Sequence, residues 1–168
     1  MSMIQSDLDI VSRDLFIKGM RQVANSVAVV TTNGDAKHNG ATVSAFSSVS
    51  ADPPQLLVCL RSASQIAAAV TANGTFCLNV LSHHHQHLAE RFSGVHDSVV
   101  ENRFDGIDFH AEDTWVVFAG ATSFCCIVAD RIIAGTHTIF IGHVQRLRTA
   151  NDEPLTYFQG NYRNLAKV

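Results

Sequence analysis

Positive charge is scarce and scattered in this sequence. The chain has 12 Lys and Arg among 168 residues, a formal net charge of −3, and no basic cluster larger than a pair. Phosphate backbones need concentrated positive charge, so nucleic acid is not an expected partner. The same lack removes a basic amphipathic helix that would lie on a membrane. No apolar run reaches the ~18 residues of a spanning helix. Met1 to Ile10 carries Asp7 and Asp9 but no basic residue, and so lacks the charged start of a signal peptide. The expected location is the cytoplasm, with residues 1–11 a flexible N-terminal arm and residues 12–168 a single domain.

Cysteine is sparse as well. Cys59, Cys77, Cys125 and Cys126 sit in apolar stretches without a Cys-x-x-Cys pair, and read as small buried thiols, not disulfides or zinc ligands. Several signatures are missing altogether. There is no Gly-x-Gly-x-x-Gly for a Rossmann site, no Walker loop, no Gly-x-Ser-x-Gly elbow and no His-Glu-x-x-His. His83 and His87, in the run His83-His84-His85-Gln86-His87, have the i, i+4 spacing of metal ligands. No acidic or cysteine residue has a spacing that completes a site, so the run reads as a solvated helix start and no metal centre is expected.

What is present is a globular composition, 46% apolar and 16% charged, patterned mainly as strands. Ser12 can cap a helix from Arg13 to about Ala24, with Phe16, Met20 and Val23 on one face. Strands are expected over residues 26–32, 39–50, 55–61 and 75–81. Two short helices fall between and after them, one capped by Ser62 or Ser64 and ending at Asn73-Gly74, the other over about His84 to Phe92. Residues 95–113 read as a loop with a short strand near Ile107 to His110. Strands over 114–118, 121–133 and 137–148 follow, the last two joined as a hairpin at Ala134-Gly135-Thr136. So many strands with so few helices predict a mainly β fold, a barrel or closed sheet with short helices covering its ends. Long strands that are apolar on both faces point to a homodimer that buries part of the outer wall.

The unusual segment is Gly40 to Pro54, a strand of small hydroxylated residues: Gly40, Ala41, Thr42, Val43, Ser44, Ala45, Phe46, Ser47, Ser48, Val49, Ser50, Ala51, Asp52, Pro53, Pro54. Such a strand can bring its backbone close to a flat polar ligand and offer hydroxyls to it. A solvated, Ser-rich edge strand would carry the same composition.

This segment resembles the flavin-binding stretch of the short-chain flavin reductases, the reductase components of 4-hydroxyphenylacetate, phenol and chlorophenol monooxygenases. Further matching stretches are Ala24-Asn25-Ser26-Val27, Cys59-Leu60-Arg61-Ser62, Asn73 to Leu81, Leu88-Ala89-Glu90-Arg91-Phe92, Gly135-Thr136-His137, Gly142-His143-Val144, and Pro154-Leu155-Thr156-Tyr157. The resemblance implies a flavin-binding split β-barrel, a homodimer with one flavin per subunit. FMN or FAD would be the cofactor and NADH the electron donor. Reduced flavin would pass by diffusion to a separate flavin-dependent monooxygenase.

The resemblance also assigns roles. Ser26 and the stretch Thr42, Val43, Ser44, Ala45, Ser47 and Ser48 would lie along the flavin. Cys59, Leu60, Arg61, Ser62 and Ser64 would lie beside its phosphate, with Phe92 and Ser93 approaching from the following helix. Ser62 or Ser64 can be a helix cap at the same time, because a helix N-terminus already favours an anion. His137 would position the nicotinamide, with Tyr157 and Tyr162 helping to close that site. Many members carry an acidic residue before this histidine, where Thr136 stands here. His137 facing solvent, and the tyrosines as ordinary edge packing, are the structural alternatives. A flavin carrier or sensor without turnover is the alternative function. A relative of the pyridoxamine-phosphate oxidases would need a basic phosphate cluster that the few arginines do not supply.

Overall fold

The computed structural model describes residues 10–35 and 38–165; most of the expected arm, residues 1–9, lies outside them. Helix α1 spans Arg13–Met20, with the Ser12 hydroxyl accepting from the Leu15 N–H. It stops short of Ala24 because its last turn tightens. Gln22 and Val23 donate to Gly19 and Met20, three residues back, and end the α-helical ladder. The strands are β1 (Asn25–Ser26), β2 (Ala28–Thr32), β3 (Asn39–Val43), β4 (Phe46–Ala51) and β5 (Pro54–Arg61). Helix α2 (Gln65–Asn73), β6 (Thr75–Val80), a 3-10 turn (His83–His85) and α3 (Gln86–Ser93) follow. The last third is β7 (Phe109–Glu112), β8 (Trp115–Phe118), β9 (Thr122–Ala134), β10 (His137–Arg148), β11 (Thr156–Phe158) and β12 (Asn161–Arg163).

Seven strands form one antiparallel sheet in the order β3-β2-β6-β9-β10-β5-β4. Its two edges, β3 and β4, are consecutive in the chain. They meet at Ser44-Ala45, where the Cys59 N–H donates to the Ala45 carbonyl at 2.9 Å. The expected single strand over 39–50 is therefore two strands with a corner between them, and that corner curls the sheet into a split barrel. No proline or glycine marks the corner. It follows from the sheet closing on itself, which local propensity does not encode.

Strand β2 is buried along its whole length. Ala28 and Val30 face the barrel interior with Val58, Phe76, Leu78 and Phe140, while Val27 and Val29 face outward to Leu88, Ala89, Phe92, Phe104 and Phe118. Burial on both faces explains the continuous apolar run. Helix α2 plugs one end of the barrel through Ile66, Ala67 and Val70. Its cap is Ser64, whose hydroxyl accepts from the Ala67 N–H at 3.3 Å, and Gly74 ends it at φ +68°. Ser62 instead touches the Thr138 hydroxyl at 2.9 Å and ties β5 to β10.

Gly142 lies in the core of β10. A Cβ there would sit 2.7 Å from both the Cys126 Cβ and the Phe76 ring. Gly142→Ala is expected to cost about 2 kcal/mol by overpacking, read as a lower denaturation midpoint at unchanged slope.

Cys77, Cys125 and Cys126 are buried and Cys59 is half-buried; all four are free thiols. Burial pushes the Cys126 thiol up to about 12. The Cys77 and Cys125 sulfurs lie 3.4 Å apart across β6 and β9. The expected helix from about His84 starts later: His83–His85 form the 3-10 turn and only Gln86 and His87 of the run lie in α3, with the His83 and His84 rings 3.7 Å apart and the Ser82 hydroxyl 3.1 Å from His85 Nδ1. No described helix is long and apolar enough to cross a membrane.

Candidate active site

The corner between β3 and β4 faces a cleft of about 460 Å³. Thr42, Val43, Ser44 and Ala45 form one wall, and Cys59, Leu60 and Arg61 of β5 form a second. The first turn of α2, with Ser64, Gln65 and Ile66, closes one end, and Phe92 and Ser93 approach from α3. His137, the first residue of β10, completes the mouth.

The backbone dictates what this cleft can bind. Ser44 and Ala45 belong to neither flanking ladder, and neither N–H donates to another group among the described residues. Two adjacent amide donors are thus left open on the cleft wall. Gln65 and Ile66 are the first two residues of α2, whose N–H groups have no partner inside the helix. They add two more open donors at the positive end of a helix. Arg61 stands beside them, exposed and without a carboxylate partner among the described residues. A polar ring edge fits the first pair of donors and a phosphate fits the second. Small side chains make the wall thin, and Gly40 is required in it. A Cβ at Gly40 would meet the Phe92 ring at 2.9 Å.

The side-chain hydroxyls are less available than composition suggests. Thr42 donates to the Ala89 carbonyl of α3 at 2.7 Å, and Ser64 donates to the Arg61 carbonyl at 2.6 Å. Ser93 donates to the Glu90 carbonyl at 2.7 Å. These hydroxyls shape the cleft by holding its walls together, while the backbone supplies the open donors. Burial also pushes the Cys59 thiol up, so it lines the cleft as a neutral group.

The sequence-derived candidates do not all gather here. Eleven line the cleft: Thr42, Val43, Ser44, Ala45, Cys59, Leu60, Arg61, Ser64, Phe92, Ser93 and His137. Ser26, Ser47, Ser48, Ser62, Tyr157 and Tyr162 do not. Ser47 and Ser48 lie beyond the corner on exposed β4, and Ser26 pairs with Thr156 in a small sheet of β1, β11 and β12. Tyr157 and Tyr162 face each other in that sheet with ring centroids 5.3 Å apart. Tyr157 borders a second groove of about 230 Å³ under α1, and Ser44 lines both this groove and the cleft. His137 pairs directly across the sheet with Arg61, and its Nδ1 lies 3.0 Å from the Thr136 hydroxyl.

Residues 20–166 match the family described as flavin reductase like domain. The chain belongs to this family. It is 38% identical over 168 residues to FMN reductase (NADH) RutF 2 of Methylorubrum extorquens strain PA1, covering 98% of this chain and 96% of that protein. Flavin reductase PheA2 in its native state is similar in structure, with a TM-score of 0.85 at 29% identity over 94% of this chain and 100% of that one. The nitrilotriacetate monooxygenase component B homolog of Mycobacterium thermoresistibile gives a TM-score of 0.83 at 28% identity over 91% and 86%.

In this flavin reductase-like chain, sequence reasoning missed Asn39, Gln65, Ile66, Asp97 and Arg103, all of which line the cleft. Gln65 and Ile66 were accessible from capping logic, since they follow the cap Ser64 and carry the open first-turn donors. Asp97 and Arg103 come from the polar loop after α3, where no periodicity or motif points to them.

Proposed function

We propose that this chain is an NADH-dependent flavin reductase that moves hydride from NADH to FMN or FAD and releases reduced flavin to a separate monooxygenase. The observation that carries the reading is the presence of two pairs of open amide donors in one cleft, at Ser44–Ala45 and at Gln65–Ile66, with Arg61 beside the second. Bound flavin would supply the hydride-accepting ring. The amides of Ser44 and Ala45 would hydrogen-bond its polar edge and would stabilise negative charge there. The α2 N-terminus and Arg61 would hold the phosphate. Hydride transfer needs close stacking and no obligatory base, so no residue is assigned to proton abstraction. His137 orients the nicotinamide from the mouth of the cleft, and Tyr157 acts from the groove that shares Ser44, with Tyr162 packed against it across β11 and β12. Ser47, Ser48 and Ser62 act indirectly, through β4, β5 and β10, and Ser26 through the small sheet that carries Tyr157.

The protein works as a cytoplasmic homodimer. Leu15, Phe16, Met20 and Val23 on and after α1 are exposed, as are Ile132 and Ile133 on β9. An apolar surface of this kind is covered by a second copy. Sedimentation equilibrium tests it, with twice the chain mass expected.

Anaerobic titration tests the activity. FMN or FAD binding is followed by flavin fluorescence, and NADH is then added. The expected result is loss of visible flavin absorbance. Binding without bleaching would favour a carrier or sensor. His137→Ala is expected to raise the NADH KM about ten-fold, a loss of roughly 1.4 kcal/mol, with flavin Kd changed less than about two-fold. An unchanged NADH dependence removes His137 from the nicotinamide site.

A further inference from the structure

Arg103 is the second arginine at the cleft, and its geometry is unlike that of Arg61. Its Nη1 donates to two backbone carbonyls, Gly40 of β3 and Phe92 at the end of α3, each at 3.1 Å. Its Nε and Nη2 grip the two oxygens of Asp97 at 2.9 and 2.6 Å. A guanidinium has five N–H donors, and four are committed to the protein in this arrangement. The Arg103 pairing holds the Asp97 carboxyl below the usual carboxylate range. Next in the chain, the Phe104 ring packs edge-on against Phe92 at 4.9 Å and borders Gly40. The loop after α3 is thus stapled to the first residues of β3. From Gly40 that strand leads four residues later into the Ser44-Ala45 corner.

We infer that Arg103 is a positioning residue for flavin, fixing the β3 wall of the cleft by joining the Gly40 and Phe92 carbonyls to Asp97, and that it does not hold the flavin phosphate. The inference rests on the flavin reading of the cleft. Planarity is central to it. One fork bridges two carbonyls on different elements while its other edge meets a carboxylate, which a lysine ammonium cannot reproduce. Gly94, at φ +89°, is part of the same device. It turns the loop back, and a Cβ there would approach Arg103 Nη2 at 3.0 Å.

The test compares ligands with and without phosphate. Riboflavin, FMN and FAD are titrated by fluorescence against wild type, Arg103→Ala, Arg103→Lys and Asp97→Asn. In Arg103→Ala and Arg103→Lys, all three ligands are expected to bind roughly ten-fold more weakly, by the same factor. Asp97→Asn moves all three in the same direction by a smaller factor. The flavin KM rises by the same factor as the Kd, while the NADH KM stays within about two-fold, because the staple acts on the flavin wall and not at the His137 mouth. Loss confined to FMN and FAD, with riboflavin unchanged, would make Arg103 a phosphate ligand and overturn the inference. Full affinity in Arg103→Lys would also overturn it, since charge alone would then suffice. If Arg103→Ala does not fold, the lysine and Asp97→Asn variants still decide. Wild-type protein that binds no flavin would instead remove the reading beneath.

Discussion

Arg61→Ala is expected to weaken FMN binding roughly thirty-fold and to leave riboflavin binding within about two-fold. Arg61 is the last residue of β5, and the chain reaches the N-terminus of α2 four residues later. Its guanidinium is exposed and makes no ion pair among the described residues, so its donors are free for a ligand. A charge-assisted hydrogen bond to phosphate contributes about 2 kcal/mol, which is the stated factor in Kd. The open amides of Gln65 and Ile66 remain in the variant, so binding is weakened and not abolished. Arg61→Lys recovers part of the loss, because a point charge keeps the attraction but not the fork. Isothermal titration with riboflavin and FMN in parallel separates the phosphate contribution from the ring contribution. Equal loss for both ligands would show that Arg61 shapes the cleft and does not contact the phosphate. Arg61 and Arg103 thus make opposite predictions in one assay: a phosphate-specific effect at the exposed residue, a uniform effect at the residue whose donors are already used.

Much of the fold was legible because local signals were strong. Asn73-Gly74 ended α2 in the left-handed conformation that glycine permits, and Ala134-Gly135-Thr136 gave the β9–β10 hairpin with its exact restart at His137. The helix start was legible as Ser62 or Ser64, and Ser64 is the one that caps α2 and closes one end of the cleft. The corner at Ser44-Ala45 was not legible, although the segment containing it drew attention first. Its residues read as continuous strand, and only closure of the sheet separates β3 from β4. That closure also changes the chemistry. The Ser and Thr hydroxyls suggested a cradle of side chains, whereas the strand break leaves two backbone N–H groups open and engages Thr42 with α3. The Asp97–Arg103 pair lay outside sequence reach for a different reason. Its partners on β3 and α3 are brought to it only by the outer core around Phe92 and Phe104.

Asn79→Ala is expected to cost about 4 kcal/mol and to lower the melting temperature by roughly 10 °C. Asn79 is fully buried on β6, between the barrel and the β7–β8 hairpin. Its Oδ1 accepts from the Phe118 N–H at 3.2 Å and from the Ser123 hydroxyl at 2.7 Å. Its Nδ2 lies 3.0 to 3.2 Å from the Thr31 hydroxyl and from the Val29 and Val116 carbonyls. Truncation leaves the Phe118 N–H and the Ser123 hydroxyl without these partners in a dry interior, at about 1–3 kcal/mol each. Asn79→Leu separates polar loss from volume loss. It fills the space but pairs none of the orphaned groups, so it is expected to be no more stable than the alanine variant. The network lies outside the cleft, so FMN affinity measured well below the melting transition stays within about two-fold of wild type. A melting shift below about 2 °C would mean that water or relaxation satisfies the orphaned groups, and that the hairpin is held by its apolar contacts through Val116 and Phe118. A large loss of FMN affinity without a melting shift would require coupling from β6 through β2 to the β3 wall, the route by which strand order connects this network to the cleft.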